Sequence, residues 1–336
     1  MKTYLDHQFW TKINVVMQDN NDDLEQEAWR NFKRFLKKES DVFLNIPLDA
    51  QRNIEYQTYN ELTSGRGKTA KLEVKPQAFR FMNGPLLFQN EFVDPDIFLL
   101  LEPKDQEHLK KWKEKNGFLI HGHQDLLKSW LIYRQIDTTQ YPKSFSVRPN
   151  ARFGFNMDSF NVLSIYKHPV TDIVISDRYL FSDEELLKKN LPLLLEATVE
   201  LKPNINCSLF GSLSVAFKKN PEELKNICTS CLEKFKDMKL EVILDNTERF
   251  KEHDRHFITN YFYFKPGDSF SLFLSNDRLK TKGTSIDIKS LFDFSEMEAA
   301  KNTIENLLRI RESSTTKSKA IKMNRLFNLV SLSPCS

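Results

Sequence analysis

Apolar residues recur at two periods along this chain, and their alternation lays out an α/β protein. Thr3-Tyr-Leu5 reads as a short strand ending at Asp6. From Glu25 to Lys38, Trp29, Phe32, Phe35 and Leu36 return every three or four positions, which predicts an amphipathic helix. Asp41–Asn45 reads as a second strand. Asp96–Leu101 is an apolar run between Pro95 and Pro103, the pattern of a strand buried on both faces. Lys104–Asn116 is a charged helix that stops at Gly117, where a helix end favours glycine. Phe118–Ile120 is the next strand. Strand, helix, strand with short connections implies parallel neighbours in one sheet.

The rhythm repeats after residues 137–151, a polar stretch with two prolines that reads as an interdomain linker. Strands are predicted at Asp172–Ser176, Asn206–Phe210 and Leu240–Leu244. Helices are predicted at Asp183–Leu201 (with Pro192 inside), Pro221–Lys236 and Ser295–Arg311. Phe257–Phe264 with Phe270–Leu274 reads as a hairpin. The expected organisation is an α/β domain over 1–136, the linker, a second α/β domain over 152–311, and a tail over 312–336. The tail ends in a short amphipathic helix at Ile321–Val330, expected to dock back on the body or else on a partner.

Composition narrows the picture. The 336 residues are 40% hydrophobic and 28% charged, a folded composition large enough for two domains. A net charge of +3 is too mild to argue for nucleic acid or membrane from bulk charge. Nine glycines leave little room for a glycine-rich nucleotide loop; Ser64–Thr69 comes nearest and lacks the phosphate-loop spacing. Four cysteines, two of them at Cys228 and Cys231 within a helical pattern and without a second ligand pair, read as helix cysteines in a reducing compartment. No apolar run is long enough to cross a bilayer and no leader is visible, so the expected location is the cytoplasm.

One segment carries the outline of a known chemistry. His253-Asp-Arg255-His-Phe-Ile-Thr-Asn260 lies on the predicted hairpin, with Gly267-Asp-Ser269 just beyond. It follows a strand ending in Ile175-Ser-Asp177-Arg-Tyr179 and a helix carrying Asn190-Leu191. This order, over about residues 155–310, resembles the phospholipase D-like domain at the C-terminus of MIT (microtubule-interacting and trafficking) proteins and in bacterial relatives. The resemblance implies a mixed-sheet domain in which His253, Arg255, Asn260 and Asp177 contact an anionic ligand. In that chemistry a His attacks a phosphodiester and a basic residue grips the phosphate. Arg255 keeps the grip and makes it bidentate. A single copy of the motif favours binding over cleavage, unless a homodimer supplies the second.

Two metal-site patterns can be drawn in the first half. Asp6 at the end of the first strand, Asp94 and Asp96, and Asp125 after the last strand resemble the acidic set of PIN-like ribonucleases. That resemblance, over about residues 1–135, implies Asp6, Asp96 and Asp125 as catalytic ligands of Mg2+ or Mn2+, which would generate the attacking hydroxide. Glu73-Val-Lys75, with Asp41 or Asp49, is instead similar to the Glu-x-Lys of restriction-like nucleases. His121-Gly-His123 can serve as metal ligands, as acid and base, or as part of a turn capped by Asp125.

The expected function is an effector of a bacterial conflict or antiviral system, with a metal-dependent nuclease domain joined to a phospholipase D-like sensing domain. The alternatives are a non-enzymatic adaptor and a dimeric phospholipase D-like phosphodiesterase. The expected partners are nucleic acid or a protein of a defence complex.

Overall fold

A computed structural model of the chain describes residues 1–45, 54–65, 70–74, 94–102, 106–147, 159–200, 204–245, 255–274, 279, 284–319 and 324–330. The first part contains β1 (Lys2–Asp6), α1 (His7–Gln18), α2 (Asp23–Lys38), β2 (Asp41–Asn45), α3 (Ile54–Thr63), β3 (Leu72–Val74), β4 (Ile97–Leu100), α4 (Gln106–Asn116), β5 (Leu119–His121) and α5 (Leu126–Tyr133). Its strands form one parallel sheet in the order β3-β2-β1-β4-β5. The two sheet faces are buried differently. Leu5, Leu44, Phe98 and Leu100 face the aromatic core built by α1, α2 and α5. Ile97, Leu99 and Ile120 face Leu109 and Trp112 of α4. A sheet sandwiched this way explains the unbroken apolar run of β4.

The second part contains β6 (Ser144–Val147), β7 (His168–Pro169), β8 (Asp172–Ser176), α6 (Glu184–Thr198), β9 (Val199–Glu200), β10 (Asn206–Ser212), α7 (Pro221–Cys231), β11 (Lys239–Asp245), β12 (His256–Thr259), β13 (Phe262–Pro266), β14 (Thr284–Ser290), α8 (Phe294–Ser313) and β15 (Thr316–Lys317). Its main sheet is mixed, in the order β15-β11-β10-β8-β12-β13-β14-β6. β8, β10 and β11 run parallel. β12 to β14 form an antiparallel meander beside β8. The fold class is therefore α/β, with one parallel and one mixed main sheet and a two-stranded parallel pair, β7–β9, among the described residues.

Several boundaries differ from the sequence reading. The stretch read as linker contains β6, an edge strand paired with β14 whose Phe145 and Val147 point inward. The tail contributes β15 to the second sheet. It then places Asn324 and Arg325 on β8: Arg325 donates from Nε to Asp172 at 2.9 Å, and Asn324 donates to the Ile173 carbonyl at 2.6 Å. The helix expected at its end is a short 3-10 turn, Arg325–Leu329.

The strand starts of the two sheets abut. Asn260, at the tip of the β12–β13 hairpin, accepts from the backbone N–H groups of Thr171 (2.8 Å) and Asp172 (3.1 Å) and donates to the Pro95 carbonyl (2.7 Å). The Tyr261 hydroxyl donates to the Ile97 carbonyl (2.7 Å) and accepts from Leu119 N–H (2.9 Å). Gly117, with φ +68°, fits here doubly: a Cβ would stand 2.8 Å from Thr171 Cγ2 and 2.9 Å from the Val170 carbonyl. One continuous hydrophobic core runs through both parts. The strand ends of the parallel sheet lie at the opposite end of their strands from this junction.

Candidate functional site

In the first sheet the chain moves from β1 outward to β2 and β3, then returns to place β4 on the other side of β1. Such a reversal opens a crevice beyond the carboxyl ends of the two central strands, where open α/β sheets bind ligands. Asp6 ends β1 and Glu102 lies just past β4, so both stand at the carboxyl ends of these two central strands.

Asp6 is 2% exposed. It is the N-cap of α1, accepting from Gln8 N–H at 2.7 Å, while Asn45 at the end of β2 reaches its other oxygen at 3.4 Å. Burial raises its carboxyl above the ordinary aspartate value; the Gln8 bond and His7 pull it back, and the charge of Glu102 pushes the same way as burial. Glu102 is 8% exposed. One oxygen accepts from Lys12 Nζ at 2.9 Å and the other lies 2.8 Å from His123 Nδ1. With Nδ1–H donating to the carboxylate, the His123 Nε2 lone pair is directed away from Glu102. A carboxylate that orients an imidazole in this way supports general acid–base chemistry.

The sequence-predicted trio does not assemble. Asp96 precedes β4 and sits at the start of the strands, ion-paired with the Met1 amino group at 3.5 Å. The register Lys2↔Ile97 to Leu5↔Leu100 puts it about five residues, roughly 16 Å, from Asp6 along the strand. Burial raises the Asp96 carboxyl, with the Met1 charge opposing. Strand direction separates them: Asp96 stands before the start of β4, and the acid just past its end is Glu102.

Asp125 lies beyond the end of β5, two strands over from β1. Its side chain caps no helix N–H; it turns back to accept from Gly122 N–H (3.0 Å) and Lys113 Nζ (3.0 Å). His121 donates to it from Nδ1 at 3.1 Å and accepts the Tyr133 hydroxyl at Nε2 (2.8 Å). Burial lowers the His121 imidazole, although the Asp125 bond opposes this. Burial also works against the Asp125 charge, but the His121 hydrogen bond and Lys113 outweigh it and hold the carboxyl below the ordinary range. Asp125 is thus engaged by its own turn and by Lys113 of α4. Among the described residues, no group of three His, Cys, Asp or Glu is arranged to hold a metal ion. Of the restriction-like set, Glu73 is exposed on β3, while Lys75 and Asp49 lie outside the described residues.

The residues taken from the hairpin motif are distributed differently from the expectation. His253 lies outside the described residues. Asn260 is not at a ligand edge: both ends of its amide are engaged at the junction, with Thr171 Oγ1 as a further partner at 3.0 Å. Asp177 and Arg255 do meet at the opposite edge. Asp177 is fully buried and accepts from the Ser269 hydroxyl (2.6 Å), Phe270 N–H (2.8 Å) and Tyr179 N–H (2.9 Å). The Arg255 guanidinium lies 3.9 Å from Asp177, 3.6 Å from Asp268 and 3.3 Å from the Gly267 carbonyl, and over the Tyr179 ring. These contacts are long, and the buried Nε has no hydrogen-bond partner among the described residues.

Sequence reasoning missed Glu102, Lys12 and His123 as one cluster. The signal was present for Glu102, as the acid at the carboxyl end of a buried strand. Lys12 was hidden because the helix that carries it, α1, follows β1 without a turn.

No protein-family model matches the chain, and no curated protein matches it. Among solved structures, an alignment to Marinitoga piezophila Argonaute in complex with 5′ OH guide RNA and target DNA covers 98% of this chain at 12% identity. The chain spans about half, 52%, of that chain's length, and a TM-score of 0.14 carries no argument. Among the described residues, no helix is long and apolar enough to cross a membrane.

Proposed function

We propose that the chain is a phosphodiester-cleaving enzyme, a nuclease, whose site is the crevice of Asp6, Lys12, Glu102 and His123. The observation that carries this reading is the pairing of Glu102 with both Lys12 and His123 beside a buried aspartate, at the switch point of a parallel sheet. In this reading His123 Nε2 takes the proton of the attacking water, and Glu102 holds the ring through Nδ1. Lys12 shares its charge between Glu102 and a phosphate oxygen as negative charge grows there. Mg2+ or Mn2+ suits such a site because these ions bind through one or two carboxylates and keep water and phosphate oxygens as the remaining ligands. Asp6 is the residue that would hold the ion, which when bound supplies charge neutralisation and an acidified water. The second half, through Arg255, is the binding or sensing part. The resemblance of residues 155–310 to phospholipase D-like domains supports that division and a conflict-system setting.

The test is cleavage of end-labelled RNA and DNA by the full chain with Mn2+. Glu102→Gln and Asp6→Asn are each expected to lower the rate about 10²–10⁴-fold, and Asp96→Asn to leave it unchanged. Intact nucleic acid with the wild-type chain overturns the reading. A second reading, a non-enzymatic adaptor, is favoured by the saturation of both Glu102 oxygens by Lys12 and His123. It predicts ligand binding that Arg255→Ala abolishes, without turnover.

A further inference from the structure

The outer face of α2 carries Arg30, Lys33, Arg34, Lys37 and Lys38, five basic residues within nine positions and no acid among them. The opposite face is fully committed to the core through Ala28, Trp29, Phe32, Phe35 and Leu36. The helix is therefore fixed, and the basic face is turned outward: Arg30, Arg34 and Lys38 are exposed, Lys33 and Lys37 half-exposed. Within these five, the ion pair to a described carboxylate is Arg34 with Glu39, at the outer limit of 4.0 Å. Lys33 lies over the Trp29 ring at 5.1 Å.

Helix-dipole complementarity explains Lys37 and Lys38, which sit in the last turn. It does not explain Arg30, Lys33 and Arg34, because the dipole effect fades within that turn. Like charges three and four positions apart on one helix repel mildly, and an anionic partner would relieve this row. The partner's form follows from the spacing. From Arg30 to Lys38 the helix rises about 12 Å, which matches three to four successive phosphates at roughly 3.4 Å per nucleotide of one strand. A membrane surface fits less well, since α2 exposes no large apolar side chain to enter it.

We propose that this face of α2 docks the phosphate backbone of a nucleic acid, independently of its sequence. The proposal goes beyond the nuclease reading, because docking here requires no cleavage. The test is fluorescence anisotropy of a labelled 20-base-pair DNA duplex and a 20-nucleotide RNA across 50 to 200 mM salt. With about four phosphates neutralised, the duplex affinity should fall about 10²-fold over that range, a log–log slope near −3 to −4. Lys37→Gln should reduce the slope by about 0.9. Replacing all five residues with Gln should bring it near zero, and Arg30→Gln with Arg34→Gln should give roughly half that loss. These side chains stand outside the core, so the variants keep the fold. No binding of either probe by the wild-type chain overturns the proposal, and so does an unchanged slope in the five-residue variant. Loss of binding to phosphatidylserine vesicles in place of nucleic acid also overturns it. Binding without cleavage by the wild-type chain sinks the nuclease reading and leaves this one standing.

Discussion

The strand-end edges of the two sheets both bury an aspartate, but they satisfy it in different ways. At the second sheet, Asp177 is held by two backbone N–H groups and the Ser269 hydroxyl, all fixed by the fold. At the first sheet, Asp6 accepts one backbone N–H, from Gln8, and the neighbouring Glu102 is held by Lys12, whose side chain is 52% exposed, and by the half-buried His123. Asp6 beside it keeps one oxygen whose nearest donor is 3.4 Å away. Backbone donors cannot be exchanged without unfolding a turn. Long cationic and imidazole side chains can trade a carboxylate for a substrate oxygen. One edge ties its aspartate to the backbone, and the other surrounds its buried carboxylates with side chains that can move.

The largest effect is expected at the junction from which both edges recede. Asn260→Ala removes four hydrogen bonds and leaves the Pro95 carbonyl and two N–H groups buried without partners. A loss of about 3–4 kcal/mol is expected by urea unfolding. If Asn260 instead served a ligand, the loss would be small in its absence.

The next effect is a pH dependence of the fold itself. His168 is fully buried, its imidazole lowered to about 4 by burial despite the Tyr166 carbonyl. A histidine depressed from 6.5 favours the folded state above its unfolded value, and that stability is lost as pH falls from 6.5 toward 4. The loss should reach about 3 kcal/mol, seen as a falling melting temperature in acid. His168→Gln should flatten the profile over that window.

Asp177→Asn should cost about 2 kcal/mol, because the amide loses charge-assisted acceptance from Ser269 and Phe270. The smallest stability effect is expected at Asp6. Asn caps a helix as well as Asp does. The raised Asp6 carboxyl means that its charge weakens the fold as pH climbs through its folded value. Asp6→Asn should therefore be neutral or stabilising by up to about 1 kcal/mol at neutral pH, and the same change should remove activity.

The core strands were legible because burial on both faces writes an apolar run, as at Ile97–Leu100 and Asp172–Ser176. Less was visible where local signals were weak. α1 begins directly at Asp6, without glycine or proline, and exposes Val15 and Val16 on its outer side. β6 is short, polar on one face and flanked by proline, so it reads as linker. The site was half legible. Asp6 stands at a strand end in the sequence itself, whereas the apolar run after Asp96 shows a strand without showing which of its flanking acids lies beside Asp6. Pairing Glu102 with Lys12 and His123 needed contacts 90 and 21 residues apart. Asn260 lies in a motif that suggests a ligand, and tertiary contacts alone reveal that it pins the two sheets together.

The most direct test compares Asp6→Asn with Asp177→Asn in one experiment, measuring melting temperature and Mn2+-dependent cleavage per folded molecule. Asp6→Asn is expected to keep its melting temperature and lose cleavage, and Asp177→Asn to melt earlier and cleave at the wild-type rate. An Asp6→Asn chain that cleaves normally, beside an Asp177→Asn chain that is stable and inactive, would contradict the assignment of chemistry to the first sheet.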